Sequence, residues 1–329
     1  MSPDFDEVRL HVVTGKGGTG KTTVSGALAL GLAATGRTVL LCEVEGRQGI
    51  ARLFDVSPLP YAEQRIAHGA DDGGTVYALA IDAESALLEY LAMYYRLGRA
   101  GKALDRFGVI DFATTIAPGV RDVLLTGKVY EAAHRNRRQK AAREYDAIVL
   151  DAPPTGRIAR FLNVNSELAG LAKVGPIRGQ ADRVMTLMRS SRTAVHIVTV
   201  LEDMPVQETI DGIAELRDDR LPIGGVIVNM VNGGTFDDDE RRLARTRRLP
   251  RATIKTELRR AGIEPTASLV DGLVDEAHER VDRLDLEDEE RARIESIGVP
   301  VYELPRLSEG VDLGGLYELA DELRAQGLP

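Results

Sequence analysis

A doubly wound α/β sheet, mostly parallel and carried as one domain over residues 1–329, is the fold this sequence predicts, and three observations predict it. Short β-rich apolar runs at residues 9–14, 38–44, 76–81, 147–150, 194–200, 223–228 and 299–304 alternate with helical spacing. Such alternation builds a parallel sheet from βαβ units. Runs such as Ala147-Ile-Val-Leu150 and Val226-Ile-Val228 are apolar without alternation, as strands covered by helices on both faces must be. Aromatic residues make up only 5% of the chain and tryptophan is absent, so the core rests on Leu, Val, Ile and Ala, which suits helices laid on such a sheet.

Taken in order, the first strand runs into Gly15-Lys16-Gly17-Gly18-Thr19-Gly20-Lys21-Thr22, and a helical pattern starts there. From Ala83 to Tyr145 the apolar spacing is helical throughout, with a break at Ala117-Pro118-Gly119, which is too much chain for one crossover helix. Residues Phe161 to Arg192 read as two helices around the Gly175-Pro176 turn. Residues 83–140 and 163–192 are expected to form a helical subdomain on one edge of the sheet. Residues 237–297, dense in Arg, Asp and Glu, read as a charged helical insertion before the last strand. A helix from Leu313 closes the chain, and no internal repeat is visible.

Composition narrows the function. The balance of 51 acidic against 42 basic residues gives a net charge of −9, which opposes nonspecific attraction to nucleic acid or anionic lipid. No nucleic-acid partner is expected. A single cysteine, Cys42, excludes an intrachain disulfide, CxxC zinc and iron–sulfur clusters. The acidic start lacks a secretory signal pattern and no apolar stretch approaches 18 residues, so the expected compartment is the cytoplasm. His11, His68, His134, His196 and His278 show no metal-ligand spacing.

Residues 15–22 satisfy GxxxxGK[ST] between a strand and a helix, the context that gives the motif its meaning. Glycines let the backbone wrap a triphosphate with its N–H groups inward, the helix start adds its positive dipole end, and Lys21 neutralises the β and γ oxygens. The Thr22 hydroxyl is suited to Mg²⁺. A second ammonium, Lys16, close to Lys21 is repulsive in an empty loop and calls for a strongly anionic ligand. Gly15, Lys16, Gly17, Gly18, Thr19, Gly20, Lys21, Thr22 and Thr23 are therefore the candidate nucleotide cradle.

The KGGTGKTT form resembles the deviant-Walker ATPases. The segment Asp151-Ala-Pro-Pro-Thr-Gly-Arg-Ile-Ala-Arg-Phe-Leu162 resembles the switch II of the arsenite-pump and tail-anchored-protein targeting ATPases within that class, with Pro153 where the family has alanine. The resemblance is strongest over residues 8–60, 146–162 and 194–231. It implies ATP and Mg²⁺ as cofactors and a dimer, either of identical subunits or with a paralogue, because this chain holds one half where most arsenite pumps hold two. It also implies that Lys16 reaches across the dimer to the partner's nucleotide, that Asp151 holds Mg²⁺ through a water, and that Thr155 and Gly156 meet the γ-phosphate. Glu45 falls on the family's water-positioning aspartate, with Glu43 as competitor. Asn229 matches the adenine-reading residue, and Pro305, in Leu304-Pro-Arg-Leu307, lies in the matching adenine loop. Glu208 matches a glutamate that contacts the dimer-related nucleotide, or is a plain helix-surface acid. Neither the family's zinc clamp nor its arsenite-binding cysteines are present.

The implied function is a Mg²⁺-dependent ATPase switch acting on a protein or membrane-protein client. A nucleotide-gated interaction module with negligible hydrolysis is the alternative, and a partitioning ATPase on membrane or DNA ranks last. A client groove calls for flexible apolar side chains, and the candidates are Leu87–Tyr95 and Val184–Met188, which also read as core. The basic clusters at Arg135–Arg138 and at Arg241 and Arg242 read as solvated faces beside acidic neighbours.

Overall fold

A computed structural model describes residues 5–44, 46–70, 73–95, 118–135, 143–171, 176–233 and 236–328. Its strands are β1 Leu10–Gly15, β2 Thr38–Glu43, β3 Gln64–His68, β4 Thr75–Ala80, β5 Ala147–Asp151, β6 Thr193–Thr199, β7 Ile223–Val231 and β8 Val301–Pro305. They form one sheet in the order β3-β4-β2-β5-β1-β6-β7-β8. Every neighbouring pair is parallel except β3 and β4. Each expected apolar run is a strand, displaced by three residues or fewer at its ends. The strand that the apolar pattern does not announce is β3. Its sequence Gln-Arg-Ile-Ala-His has little apolar content, and its register shifts between Arg65 and Ala67. Polar side chains and a bulge are what an edge strand needs in order to discourage further pairing.

The helices are α1 Lys21–Ala34, α2 Gly49–Leu53, α3 Ala83–Tyr95, α4 Pro118–Ala133, α5 Thr155–Leu171, α6 Pro176–Met188, α7 Asp203–Asp218, α8 Asp238–Arg245, α9 Arg251–Arg260, α10 Ala267–Glu295 and α11 Leu313–Ala325. Beyond Lys21, α1 carries no charge, and Val24 through Ala33 are all buried. A helix apolar on every side is a core helix. It lies on one face of the sheet with Leu316, Leu319 and Leu323 of α11, against Val13, Val39 and Leu41. The opposite face carries Leu125 and Val129 of α4, Phe161 of α5, Met188 of α6 and Leu216 of α7, packed on Leu10, Val12, Leu40 and Leu150. Burial on both faces is why the central strands show no polar alternation. No described helix is long and apolar enough to cross a membrane.

Of the stretches read as groove or core, Leu87 and Val184, Met185, Leu187 and Met188 are buried, which is the core arrangement; residues 96–117 and 136–142 lie outside the described residues. Polar links tie α4 to α3 and to the segment before β3. Lys128 donates to Glu89 at 2.7 Å, Arg135 bonds Glu131 at 2.7 Å and also Glu63, and the Tyr145 hydroxyl donates to Glu63 at 2.6 Å. Arg241 and Arg242 are paired with Asp288 and Asp239, as a solvated charged face should be. In the insertion, Asp237 and Glu240 form a reciprocal capping box that starts α8, and Thr266 caps the 29-residue α10.

Two buried polar contacts hold the centre of the sheet. Thr14 Oγ1 on β1 donates to the Pro153 carbonyl just beyond β5 at 2.7 Å, with Thr14 fully buried. His11 Nδ1 on β1 and His196 Nε2 on β6 lie 3.1 Å apart with their rings stacked, while His11 Nε2 and His196 Nδ1 have no partner. Burial drives the His196 pKa down to about 4, and burial together with the neighbouring His196 holds His11 well below its ordinary value. Both rings are neutral in the fold.

The unfolded chain therefore takes up protons below about pH 6.5 that the folded chain refuses, and stability falls as pH drops from there toward 4. His196 alone accounts for a loss on the order of 3 kcal/mol across that window. Melting temperatures recorded from pH 7 to pH 4 should decline less steeply for His196→Gln than for the parent; parallel curves refute the assignment. Thr14→Val, which leaves the buried Pro153 carbonyl without its donor, should lower unfolding free energy by about 1–3 kcal/mol in urea titrations.

Candidate functional site

In an open α/β sheet the ligand crevice lies at the carboxyl ends of the strands where the winding reverses. Here the chain winds from β1 toward β2 and later, through β6, to the other side of β1. The residues after β1 therefore sit at the switch point. The pairing of β5 with β1 and β2 sets Asp151 opposite Val13 and Glu43, so the acids at the ends of β2 and β5 border the loop that begins at Gly15.

Glycine is required at two places in that loop. Gly15 has φ of 152°, and a Cβ there would stand 2.1 Å from the Val198 carbonyl oxygen of β6. Gly20, the N-cap of α1, has φ of 88°, and its Cβ would stand 2.3 Å from Asn229 Nδ2. The cradle winds around one acceptor. The Lys16 carbonyl receives the Thr19 amide at 3.4 Å, the Thr19 hydroxyl at 3.0 Å and Lys21 Nζ at 3.2 Å. A Cβ on Gly17 or Gly18 would meet nothing within 4 Å. That open side, with the α1 N-terminus behind it, is the space a phosphate chain would fill.

Thr22 Oγ1 donates to Asp151 Oδ2 at 2.7 Å. A hydroxyl and a carboxylate in contact beside a phosphate cradle are the oxygen donors Mg²⁺ takes directly or through water, so the residues fit Mg-ATP. Thr23 follows, half-buried in the same turn. Across the crevice α5 begins at Thr155, and a Cβ on Gly156 would also meet open space.

Lys16 and Glu208 do more than stand near each other. Lys16 Nζ lies 2.9 Å from Glu208 Oε1, and the Thr155 hydroxyl reaches Glu208 Oε2 at 3.4 Å. Phosphate loop, α7 and the start of α5 are thus joined through one carboxylate. Glu43 is buried, and its carboxylate accepts from the Gly49 amide at 3.1 Å and the Ile50 amide at 3.5 Å at the start of α2. Glu45 lies outside the described residues. Asn229 Nδ2 donates to the Thr19 carbonyl at 2.9 Å, so this side chain supports the loop from β7. Pro305 ends β8 opposite Val231, and the Arg306 amide donates to the Val231 carbonyl at 2.9 Å, which sets the loop after β8 beside the end of β7. Cys42 takes no part: it is buried, and burial pushes its thiol pKa up to about 12.

Beside the loop lies a cavity of about 720 Å³, lined by Lys16, Gly17 and Gly18 on one wall and by Arg280 and Arg283 of α10 on another. The sequence gives no sign that these arginines face the loop, because nothing local separates them from the solvated charges of the same helix.

Comparison with known proteins agrees with this geometry. Residues 8–191 match the family described as anion-transporting ATPase. ATPase BagA of Mycobacterium tuberculosis is 52% identical over 321 residues, covering 98% of this chain and 94% of that protein. ATPase get3 of Neurospora crassa is 30% identical, covering 66% of this chain and 63% of its own length. ATPase GET3 of Chaetomium globosum is 32% identical over the same shares of each chain. The glycine loop, the Thr22–Asp151 contact and the segment that follows it all lie within the matched residues, and the chain belongs to the anion-transporting ATPase family.

Proposed function

We propose that the protein is a Mg²⁺-dependent, ATP-hydrolysing switch that works as a dimer and couples its nucleotide state to a protein or membrane-protein client. The observation that carries this reading is the Thr22–Asp151 contact at 2.7 Å beside a loop whose glycines leave its inner side open. The bound metal supplies charge neutralisation to the phosphate chain. Lys21 and the loop amides hold the β and γ oxygens, Thr22 and Asp151 hold the metal, and Thr155 and Gly156 offer backbone N–H to the γ-phosphate at the start of α5.

Lys16 has two partners to choose between. Its pair with Glu208 is partly exposed on both sides, and such pairs contribute about 0–1 kcal/mol. A desolvated phosphate is a stronger partner, so a nucleotide can draw Lys16 from Glu208 at small cost. Because Glu208 also receives the Thr155 hydroxyl, that exchange is felt at the start of α5. In the dimer, Lys16 stabilises charge on the partner's nucleotide. Asn229 and Pro305 flank the adenine, and the helices within 83–140 and 163–192 face the client.

A second reading, a nucleotide-gated module with negligible hydrolysis acting with a paralogue, is favoured by one observation. Glu43 already accepts two backbone amides of α2, which leaves Glu45, one methylene longer than aspartate, to orient the attacking water. Catalysis is sensitive to displacements of about 1 Å. Turnover by the purified chain alone above about 1 per minute, within the range of slow switch NTPases, rules this second reading out. A partitioning role stays last, since α11 carries Glu318, Asp321 and Glu322 against Arg324.

The primary reading makes two linked predictions. Lys21→Ala should abolish Mg-ATP binding in calorimetry, whereas Lys16→Ala should keep binding and lose phosphate release by about a hundredfold or more, as removal of a charge-stabilising group does. Light scattering should find a dimer with Mg-ATP. Unchanged turnover in Lys16→Ala, or a monomer in every nucleotide state, refutes the reading.

A further inference from the structure

Arginines in the insertion divide into two sets. Most are neutralised where they stand: Arg241 by Asp288, Arg245 by Asp285, Arg291 by Glu303 and Arg293 by Glu290. Arg280, Arg283, Arg248 and Arg259 are not, and of these four only Arg280 and Arg283 line the cavity beside the glycine loop. Among the described residues their guanidinium groups make no ion pair and no hydrogen bond. The acid one turn after Arg283, Glu287, is engaged instead by Asn232 Nδ2 at 2.7 Å. At i and i+3 on one helix, the two arginines point the same way, and both line the cavity of about 720 Å³ whose other wall is Lys16, Gly17 and Gly18. Arg306, from the loop after β8, lines it as well, and among the described residues its side chain likewise has no bonded partner.

Besides Lys16, which Glu208 holds, three arginines thus face one cavity against two acids, Glu202 and Glu287, on a chain whose net charge is −9. Like charges gathered at a concave surface repel one another and focus a positive potential into it. The cost is met when an anion enters. The open side of the phosphate loop, already argued to receive a phosphate chain, gives onto the same cavity.

We propose that Arg280 and Arg283 of α10, aided by Arg306, form a cationic wall that engages the phosphate chain of a nucleoside triphosphate seated on the glycine loop, so that the charged insertion is part of the nucleotide site. The inference rests on the reading of that loop as an ATP site and adds the opposite wall to it. Guanidinium groups suit the role because they pair with phosphate oxygens in a bidentate fork. A triphosphate carries more charge than a diphosphate, so the wall favours ATP over ADP and gives α10 a direct means of sensing which nucleotide is present.

The test is calorimetric titration of the full chain with Mg-ATP and with Mg-ADP, for the parent, Arg280→Ala/Arg283→Ala, Arg280→Lys/Arg283→Lys, and Arg242→Ala as a surface control. The double alanine variant should weaken Mg-ATP binding by about tenfold or more, the scale of losing charge-assisted contacts, and weaken Mg-ADP binding less. The double lysine variant, which keeps the charge but not the fork, should recover only part of the loss, the control should match the parent, and circular dichroism should be the same for all. The parent's affinity should also fall more steeply with salt than that of the double alanine variant. If the parent binds nucleotide and the double alanine variant binds it equally well, the wall is refuted while the ATP reading stands. A parent that binds no nucleotide overturns both. Unchanged affinity combined with loss of Mg-ATP-driven dimerisation assigns the arginines to a contact between copies and also overturns the proposal.

Discussion

A glycine-rich loop cannot hold its own shape, and the fixing of this one from outside is the constraint on which the rest of the site depends. Gly15 lies so close to the β6 backbone that any side chain there would collide with the Val198 carbonyl. Asn229 reaches from β7 to hold the Thr19 carbonyl, and the loop's own donors converge on the Lys16 carbonyl. Two neighbouring strands and one shared acceptor thereby set where the amides point. Pre-organised donors cost no reorganisation when charge arrives. The fully apolar α1 behind the loop serves the same end, since a helix buried on every side cannot shift to relieve strain at its first turn.

Strength is distributed unevenly among the polar links, and the distribution suits the switch proposed above. Thr14 to Pro153 and His11 to His196 are buried, so breaking either leaves polar atoms without water. Lys16 to Glu208 is half-solvated, and the Thr155 to Glu208 contact is long at 3.4 Å. The first group fixes the centre of the sheet. The second sits at its mouth, where exchange of partners costs little.

Much of this was legible in the sequence because the signals are local. The glycine loop, the switch segment and the unbroken apolar strands each declare themselves within a dozen residues, and the structure places them at one sheet end. What escaped depends on distance along the chain or on weak patterning. β3 holds two apolar residues in five and pairs only at the edge. His11 and His196 stand 185 residues apart, and neither has a neighbour in sequence that hints at the other. Lys16 reads as a residue for a partner's nucleotide and Glu208 as that or a plain helix-surface acid, yet in the single chain they hold one another. Asn229, expected beside the base, also donates its amide to the Thr19 carbonyl of the loop. Glu43 shows the same limit, since its competing role could be weighed only once its carboxylate was seen over the start of α2. In each case the residue was visible and its partner was not.

The hydrogen bond from Thr14 to Pro153 also bears on where the segment after β5 can bend. With the proline carbonyl bolted to the strand that carries the phosphate loop, and the Ala152 amide bonded to Val13, the first residues after β5 move with the sheet. In the proposed switch the pivot is therefore displaced downstream to the junction of Pro154 and Thr155. A rearrangement on loss of a phosphate would then be delivered to α5 as a swing of the helix, with little absorbed as slack in the strand.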